Sequence, residues 1–174
     1  MKKLFISFTL SLFTLISSAQ AEETTTDYYL TASDNSQLSA SLTNKGWRFQ
    51  IEKDKVTFIV VFGHKCPPCL AEIPSFIQAI EEHKDDLSIV AIEAQGLDNS
   101  ELQIFKQERG INYTLLTRKN QQNEYFFSDL ADKLNWKGEL PFLVVLDKYG
   151  EVQGTQLGEV SHDKIESMIQ SLKQ

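Results

Sequence analysis

Runs of apolar residues mark the strands of a β-sheet along this chain. Residues 58–62 and 87–94 are apolar at almost every position, which is typical of central strands buried on both faces. A third run of this kind, residues 142–146, directly follows Pro141. Shorter or more polar strands are predicted at residues 28–31, 37–42, 47–51, 113–116 and 151–157.

Helical spacing of apolar residues predicts four helices between and after these strands. The first covers residues 67–83 and has Pro67 in its first turn, where a proline is tolerated because no N–H is needed there. Gly110 is placed to end the second helix, and Ser161 to cap the last one. The remaining helices are predicted at residues 99–109, 125–134 and 161–172.

The order of these elements predicts an α/β fold. The turn residues 34–36 join the first two strands into an N-terminal β-hairpin. The strands and helices that follow alternate, which favours parallel pairing, and a second hairpin at residues 147–150 adds an antiparallel edge. The sequence therefore predicts a mixed central sheet flanked by helices on both faces.

The N-terminus has the pattern of an export signal. Lys2 and Lys3 precede an apolar stretch at residues 4–16, and Ala19-Gln20-Ala21 provides a cleavage site of small residues. The stretch is shorter than the roughly 20 residues of a membrane span, although an uncleaved anchor is an alternative. We predict a signal peptide at residues 1–21, a flexible leader at 22–27, a single domain at 28–174, and export to a bacterial periplasm.

Charge excludes one class of partner. Loss of Lys2 and Lys3 with the signal peptide leaves 15 of the 17 basic residues against 24 acidic ones, a formal net charge of −9. Proteins that bind nucleic acids need basic surfaces to contact the phosphates, so this composition argues against nucleic acid as a partner.

We expect the mature domain to be a monomer.

Only two cysteines occur in the chain, Cys66 and Cys69, and they follow a buried strand at the start of a helix. The free N–H groups and the helix dipole at such a position favour a thiolate, so the pair suits reversible dithiol–disulfide chemistry. A structural bridge across two residues would close too small a loop to stabilise the fold much. Zinc or copper binding is a further alternative, but only His64 offers a third ligand nearby.

The residues around this pair resemble a known family. Residues 66–74, with sequence CPPCLAEIP, resemble the C-x-x-C-x-x-E-x-P signature of exported TlpA/ResA/CcmG-like thiol–disulfide oxidoreductases, and Pro141 before a central strand is similar to a second part of their pattern. The resemblance implies a thioredoxin-like fold over almost the whole mature chain. Lys65 stands where the family usually has Trp, and Phe142 and Leu143 where it often has Thr.

The resemblance also implies roles for individual residues. Cys66 would be the attacking thiol and Cys69 the resolving one, while Glu72, one helical turn after Cys69, would tune the thiols and accept a proton. Pro141 would be a cis-proline beside the disulfide, and the main chain of Leu140 would bind an extended client. Lys65 and His64 are further candidates for tuning the thiol pKa or carrying a proton.

Two prolines predict the direction of electron flow. Pro67 and Pro68 lack the N–H groups that usually stabilise a thiolate at a helix start, so the Cys69 N–H is the nearest donor to Cys66. A less stabilised thiolate belongs to a less oxidising disulfide, which favours a reductase. An oxidase or isomerase of the same fold is the main alternative, and a copper-binding chaperone is a weaker one.

The resemblance implies partners as well. A reductase in an oxidising compartment needs an electron source, which would be a membrane thiol transporter of the DsbD or CcdA type. Its clients would be proteins with disulfides, apocytochrome c among them in cytochrome c maturation. No cofactor beyond the disulfide is expected.

Overall fold

The computed structural model describes residues 26–50 and 54–172, which form eight strands and four helices. The predicted signal peptide lies outside the described residues, as does most of the predicted leader. The elements are β1 Thr26–Thr31, β2 Gln37–Leu42, β3 Trp47–Phe49, β4 Val56–Phe62, α1 Pro67–Glu82, β5 Leu87–Glu93, α2 Asn99–Glu108, β6 Thr114–Thr117, α3 Gln121–Lys133, β7 Phe142–Leu146, β8 Val152–Leu157 and α4 His162–Leu172.

Five strands form the central sheet in the order β6-β5-β4-β7-β8. Strands β4, β5 and β6 run parallel, whereas β7 is antiparallel to both β4 and β8. Every residue of β4, β5 and β7 is buried, as their continuous apolar runs predicted. The prediction of a mixed sheet is confirmed.

The direction of β7 differs from the parallel pairing that alternation predicted, and for this strand that prediction is wrong. Helix α3 packs against β1, and the segment after it returns the chain to the edge of the sheet where β4 ends. Phe142 consequently pairs with Val61, near the end of β4, rather than with a residue near its start. This direction brings Pro141 to the same edge of the sheet as Cys66.

Both faces of the central sheet are covered. Along β4, Phe58 and Val60 pack into a core shared with α1, α2 and α4, while Ile59 and Val61 pack into a second core shared with α3. This alternation follows from the two-residue period of a strand. Helices therefore flank the sheet on both sides, as predicted.

The N-terminal hairpin is part of a small antiparallel sheet with the order β1-β2-β3. This sheet covers α3, where the ring of Phe126 meets Tyr28, Trp47 and Phe49 edge-on at centroid distances of 5.4, 6.3 and 5.8 Å. Edge-on contacts suit the charge distribution of aromatic rings and add to the area they bury. The extra sheet thus closes the second core.

Helix α3 begins at Gln121, four residues before its predicted start at residue 125. The side chain of Asn120 accepts the N–H groups of Gln122 and Asn123 at 3.0 and 3.2 Å, and this cap starts the helix in a polar segment without apolar periodicity. Gly110, with φ of +64°, follows α2 as predicted, and the Ser161 hydroxyl accepts the Lys164 N–H at 3.3 Å to cap α4. Within the described ranges no helix is both long enough and apolar enough to cross a membrane.

Candidate active site at the start of helix α1

Cys66 is the N-cap residue of α1 and is joined to Cys69 by a disulfide, with 5.2 Å between the two Cα atoms. Cys66 is 8% exposed and Cys69 is 1% exposed, so Cys66 keeps the greater access to solvent. The Cys69 N–H points at the Cys66 sulfur over 3.4 Å. The geometry therefore gives the two cysteines different access and places the accessible one at the positive end of the helix.

The local sequence explains this placement. Strand β4 ends at Phe62, and a turn follows in which the Cys66 N–H donates to the Gly63 carbonyl at 3.1 Å. Pro67 and Pro68 then begin the helix. An N–H group at these positions would have no carbonyl partner within the helix, so a proline loses no hydrogen bond there. Both prolines are exposed.

Glu72 is a buried carboxyl in the same part of the core as Cys69. Its side chain is 2% exposed, its Oε2 accepts the Val160 N–H at 3.2 Å, and its Oε1 has no hydrogen-bond partner in the described structure. Burial, and to a smaller extent the charge of Glu159, raises the pKa of Glu72 to about 8 against the weaker opposing effect of the Val160 N–H. Sequence spacing predicted that Glu72 lies on this face of the helix, but it did not predict that the side chain is buried.

The turn before Cys66 is held by one side chain at the end of β5 and one in the loop that follows it. The ring Nδ1 of His64 lies 2.8 Å from Oε1 of Glu93, and the His64 N–H donates to the same oxygen at 3.3 Å. The Lys65 N–H donates to Oε1 of Gln95 at 2.8 Å, while the Lys65 side chain is exposed. The main chain of His64 and Lys65 therefore lies directly before Cys66 in a turn that these hydrogen bonds fix.

Sequence reasoning missed Glu93 and Gln95. Glu93 is fully buried, with 0% exposure, and is the one charged residue in the apolar run at residues 87–94. A charge in such a run is a signal that it must be paired or hydrogen-bonded. Its partner His64 lies 29 positions away, and no local pattern indicates that distance.

Pro141 is buried, and the peptide bond between Leu140 and Pro141 is cis. Pro141 immediately precedes the pairing of Phe142 with Val61, so it lies beside the end of β4. The Pro141 carbonyl accepts the Gly158 N–H at 2.9 Å, whereas neither main-chain group of Leu140 is hydrogen-bonded in the described part of the chain. Leu140 and Pro141 therefore lie at the end of the sheet that also carries the disulfide.

Metal-ligating side chains meet elsewhere. In residues 26–50 and 54–172, a group of three that could hold an ion consists of Glu82, His162 and Glu166, between the end of α1 and the start of α4. His162 lies 3.0 Å from Glu82, and His83 lies 2.9 Å from Glu166, which are ordinary hydrogen-bonded pairs. The thiols, at the other end of α1, are not part of this group.

Comparison with protein families identifies the chain more closely. The model of the AhpC/TSA family matches residues 37–155, more than half of the sequence. The chain belongs to the AhpC/TSA family. No curated protein matches the sequence.

Solved structures share the fold over nearly the whole domain. StoA from Bacillus subtilis has a TM-score of 0.60 at 15% identity, over 84% of this chain and 98% of its own. A putative thiol:disulfide interchange protein DsbE from Chlorobium tepidum has a TM-score of 0.62 at 16% identity, over 84% and 93%. A DsbF homologue from Corynebacterium diphtheriae has 0.62 at 21%, over 90% and 89%. The predicted thioredoxin-like fold and the family resemblance are confirmed.

Proposed function

We propose that this protein is an exported thiol–disulfide oxidoreductase that reduces the disulfides of client proteins in the periplasm through Cys66 and Cys69. The observation that carries the proposal is the position of Cys66, which is the N-cap of α1 and is bonded to a sulfur buried one turn further along. A helix N-terminus lowers the free energy of a thiolate, and the thiolate is the attacking form. The buried second sulfur is protected from the client until it is needed.

The reductive cycle follows from this difference in access. The Cys66 thiolate attacks a client disulfide and forms a mixed disulfide, and Cys69 then attacks the Cys66 sulfur to release the reduced client. Cys69 must lose its proton in the second step. Glu72, one helical turn away and buried with one free oxygen, is placed to accept it as a general base.

The small number of donors to the Cys66 sulfur supports the proposed reductase direction. Among the described residues the Cys69 N–H is the one donor to this sulfur, at 3.4 Å, and neither Pro67 nor Pro68 has an N–H to supply another. A thiolate with few donors is less stable, which makes the disulfide harder to reduce and the dithiol a better reductant. The ammonium group of Lys65 is exposed to solvent, so its effect on the thiolate is expected to be small.

Client binding is proposed at the edge formed by Leu140 and Pro141. The unpaired N–H and carbonyl of Leu140 would bond to an extended client segment, as an added strand does at the edge of a sheet. Pro67 and Pro68, which follow Cys66 in the chain, are exposed and would contact the same segment. Specificity would then come from the side chains of the client near its own cysteine.

Electrons would come from a membrane thiol transporter of the DsbD or CcdA type, and apocytochrome c is proposed as one client. Both partners follow from the resemblance to the TlpA/ResA/CcmG-like group. A cleaved signal peptide at residues 1–21 would deliver the domain to the compartment where these partners meet.

The reduction potential of the Cys66–Cys69 pair tests the proposed direction. The mature protein would be equilibrated with dithiothreitol or glutathione buffers, and the fraction of disulfide measured by thiol alkylation. A potential at or below about −230 mV is expected for a reductase. A value near about −120 mV, the range of a strong oxidant, would overturn the reductase direction in favour of an oxidase.

A further inference from the structure

Glu93 binds an unusual number of donors for a side chain with no solvent contact. Its Oε1 accepts three hydrogen bonds, from the ring Nδ1 of His64 at 2.8 Å, from the main-chain N–H of His64 at 3.3 Å and from the main-chain N–H of Gln95 at 2.9 Å. Its Oε2 accepts the N–H groups of Gly96 and Leu97 at 2.8 and 2.9 Å. A carboxylate is the side chain that can accept from so many donors at once, and it cannot donate to any of them.

Charge and geometry agree that Glu93 is ionised. Burial would raise the pKa of Glu93, but hydrogen bonds from His64, Leu97 and Gln95 outweigh it and hold the pKa below the usual range. Arg118, which follows β6, also interacts with this charge: Glu124 and, more weakly, Glu93 raise the pKa of the Arg118 guanidinium. The carboxylate therefore stays charged while the groups around it exchange protons.

An ionised Glu93 fixes the orientation and the tautomer of His64. Because the carboxylate only accepts, Nδ1 of His64 must carry a hydrogen and donate it. The other ring nitrogen, Nε2, has no hydrogen-bond partner in the described ranges, and the side chain keeps 16% of its surface exposed. Nε2 is consequently the atom at which the ring can take up and release a proton.

The backbone places His64 two residues before Cys66 in one tight turn. His64 is the second residue of the turn that the bond from Cys66 N–H to the Gly63 carbonyl closes at 3.1 Å, and such turns keep their ends within about 7 Å. The Gln95 side chain clamps the same turn through the Lys65 N–H and passes so near Gly63 that a Cβ there would meet it at 2.3 Å. The turn is therefore packed directly against the loop after β5.

We propose that Glu93 is a positioning residue of the thiol site, and that it holds His64 as the proton carrier for exchange at Cys66. This proposal rests on the thiol–disulfide exchange proposed above, and it adds the pair that serves Cys66 while Glu72 serves Cys69.

The proton balance of the reductive step is as follows. His64 Nε2 takes the proton of the Cys66 thiol, and the thiolate attacks one sulfur of the client disulfide. The bond between Cys66 and the client forms as the client disulfide breaks, and the leaving client thiolate takes the proton back from His64. Cys69, whose proton passes to Glu72, then attacks the Cys66 sulfur, which forms the Cys66–Cys69 disulfide and releases the second client sulfur as a thiolate. That thiolate takes a proton from solvent and Glu72 returns its proton to solvent, so two electrons and two protons reach the client.

The test compares His64→Ala, Glu93→Gln and the double variant in single-turnover reduction of a disulfide-bonded peptide by the reduced mature protein. Glutamine would turn its oxygen toward the N–H groups of Gly96 and Leu97 and its NH₂ group toward His64, which forces the wrong tautomer. Each single variant is expected to slow exchange by about tenfold or more. A fully effective acid–base group contributes ~10²- to 10⁴-fold, which sets the upper limit of the expected effect. The double variant is expected to be no slower than the slower single one.

Added imidazole separates proton transfer from mere structural support. It should accelerate His64→Ala in proportion to its concentration and leave the wild type unchanged. His162→Ala is the matched control, because it removes another histidine paired with a glutamate, Glu82 at 3.0 Å, far from the thiols. Circular dichroism of each variant checks folding, and the result for His64→Ala stands even where Glu93→Gln is unstable.

Each outcome decides a separate point. Wild-type rates in His64→Ala, or slow rates that imidazole does not restore, would refute the proton carrier. Effects of His64→Ala and Glu93→Gln that add fully in the double variant would refute positioning through His64. A wild-type protein no faster than Cys66→Ser would instead refute the proposed function itself.

Discussion

Glu72 accepts the main-chain N–H of Val160 at 3.2 Å, although 88 positions separate the two residues. The bond ties the first half of α1 to the segment before α4, and Oε1 of Glu72 is buried without a partner among the described residues. Because a charged carboxyl is costly to bury with one hydrogen bond, the folded protein favours the protonated form, with a pKa of about 8. This relationship makes Glu72 a source of pH-dependent stability.

Glu72→Gln is expected to remove a loss of stability that occurs as the pH rises from 4.5 to about 8. The folded protein keeps the Glu72 proton up to about pH 8, whereas the unfolded chain releases it near its usual pKa of 4.5, so stability falls as pH rises between these values. Relative to Glu72→Gln, the free energy of unfolding of the wild type should drop by about 3 kcal/mol between pH 5 and pH 8. Urea denaturation of the oxidised proteins at several pH values measures this difference.

The control for this experiment is Glu81→Gln, because Glu81 is an exposed glutamate on the same helix. Its stability should follow the wild type across the pH range. A wild type and a Glu72→Gln variant with parallel pH profiles would show that the buried carboxyl is not protonated in the folded state.

Pro68→Ala is expected to make the disulfide more oxidising. The substitution restores an N–H at the second helical position, from which an N-cap side chain normally accepts, and so gives the Cys66 thiolate a second donor besides Cys69. A hydrogen bond to a charged group contributes about 1.5–3 kcal/mol, which corresponds to a potential ~30–60 mV less negative. The potential and the Cys66 thiol pKa, followed by thiolate absorbance, should change together.

Pro67→Ala is the matched control for Pro68→Ala. It also replaces a proline in the first helical turn, but the N–H of the first helical residue does not point at the N-cap side chain. Equal changes in the two variants would mean that loss of proline rigidity, and not a new donor, alters the potential.

Cys69→Ser is expected to trap the client on Cys66. Without the resolving thiol, the mixed disulfide between Cys66 and the client has no internal route to release. Mass spectrometry after incubation with a disulfide-bonded peptide should show the protein–peptide adduct in Cys69→Ser and none in Cys66→Ser. An adduct that forms equally well on Cys69 in the Cys66→Ser variant would contradict the assigned roles, since Cys69 is 1% exposed.

Asn123→Ala is expected to destabilise the fold without changing the redox chemistry. The buried Asn123 side chain accepts the Thr31 N–H at 3.0 Å and donates to the carbonyls of Thr31 and Thr117 at 2.9 and 3.0 Å, so it joins β1, β6 and α3. Its loss leaves buried main-chain groups unsatisfied, at about 2–4 kcal/mol of unfolding free energy. In Asn123→Ala the midpoint of thermal denaturation should fall while the reduction potential stays unchanged. Gln122 is exposed, so Gln122→Ala should change neither quantity.

The sequence alone determined most of the elements and the reactive pair. Strands β4, β5 and β7 were predicted because a strand buried on both faces is apolar throughout, and this property is local. The position of Cys66 at a helix start was equally local, since a strand, two prolines and an amphipathic helix follow one another within a few residues. The predicted start of a helix was wrong where a polar cap, and not apolar periodicity, begins it, as at Asn120 before α3.

Only the tertiary structure decided what lies around the thiols. The antiparallel direction of β7 places Pro141 beside the end of β4, and the alternation of elements had favoured the opposite direction. The burial of Glu72 and the pairing of Glu93 with His64 likewise depend on residues 88 and 29 positions apart. Periodicity reports which side of an element is buried, but it holds no information on which distant residue covers that side. The chain therefore encodes its cysteine pair locally, while the folded structure determines the surroundings of Glu72, Glu93 and Pro141.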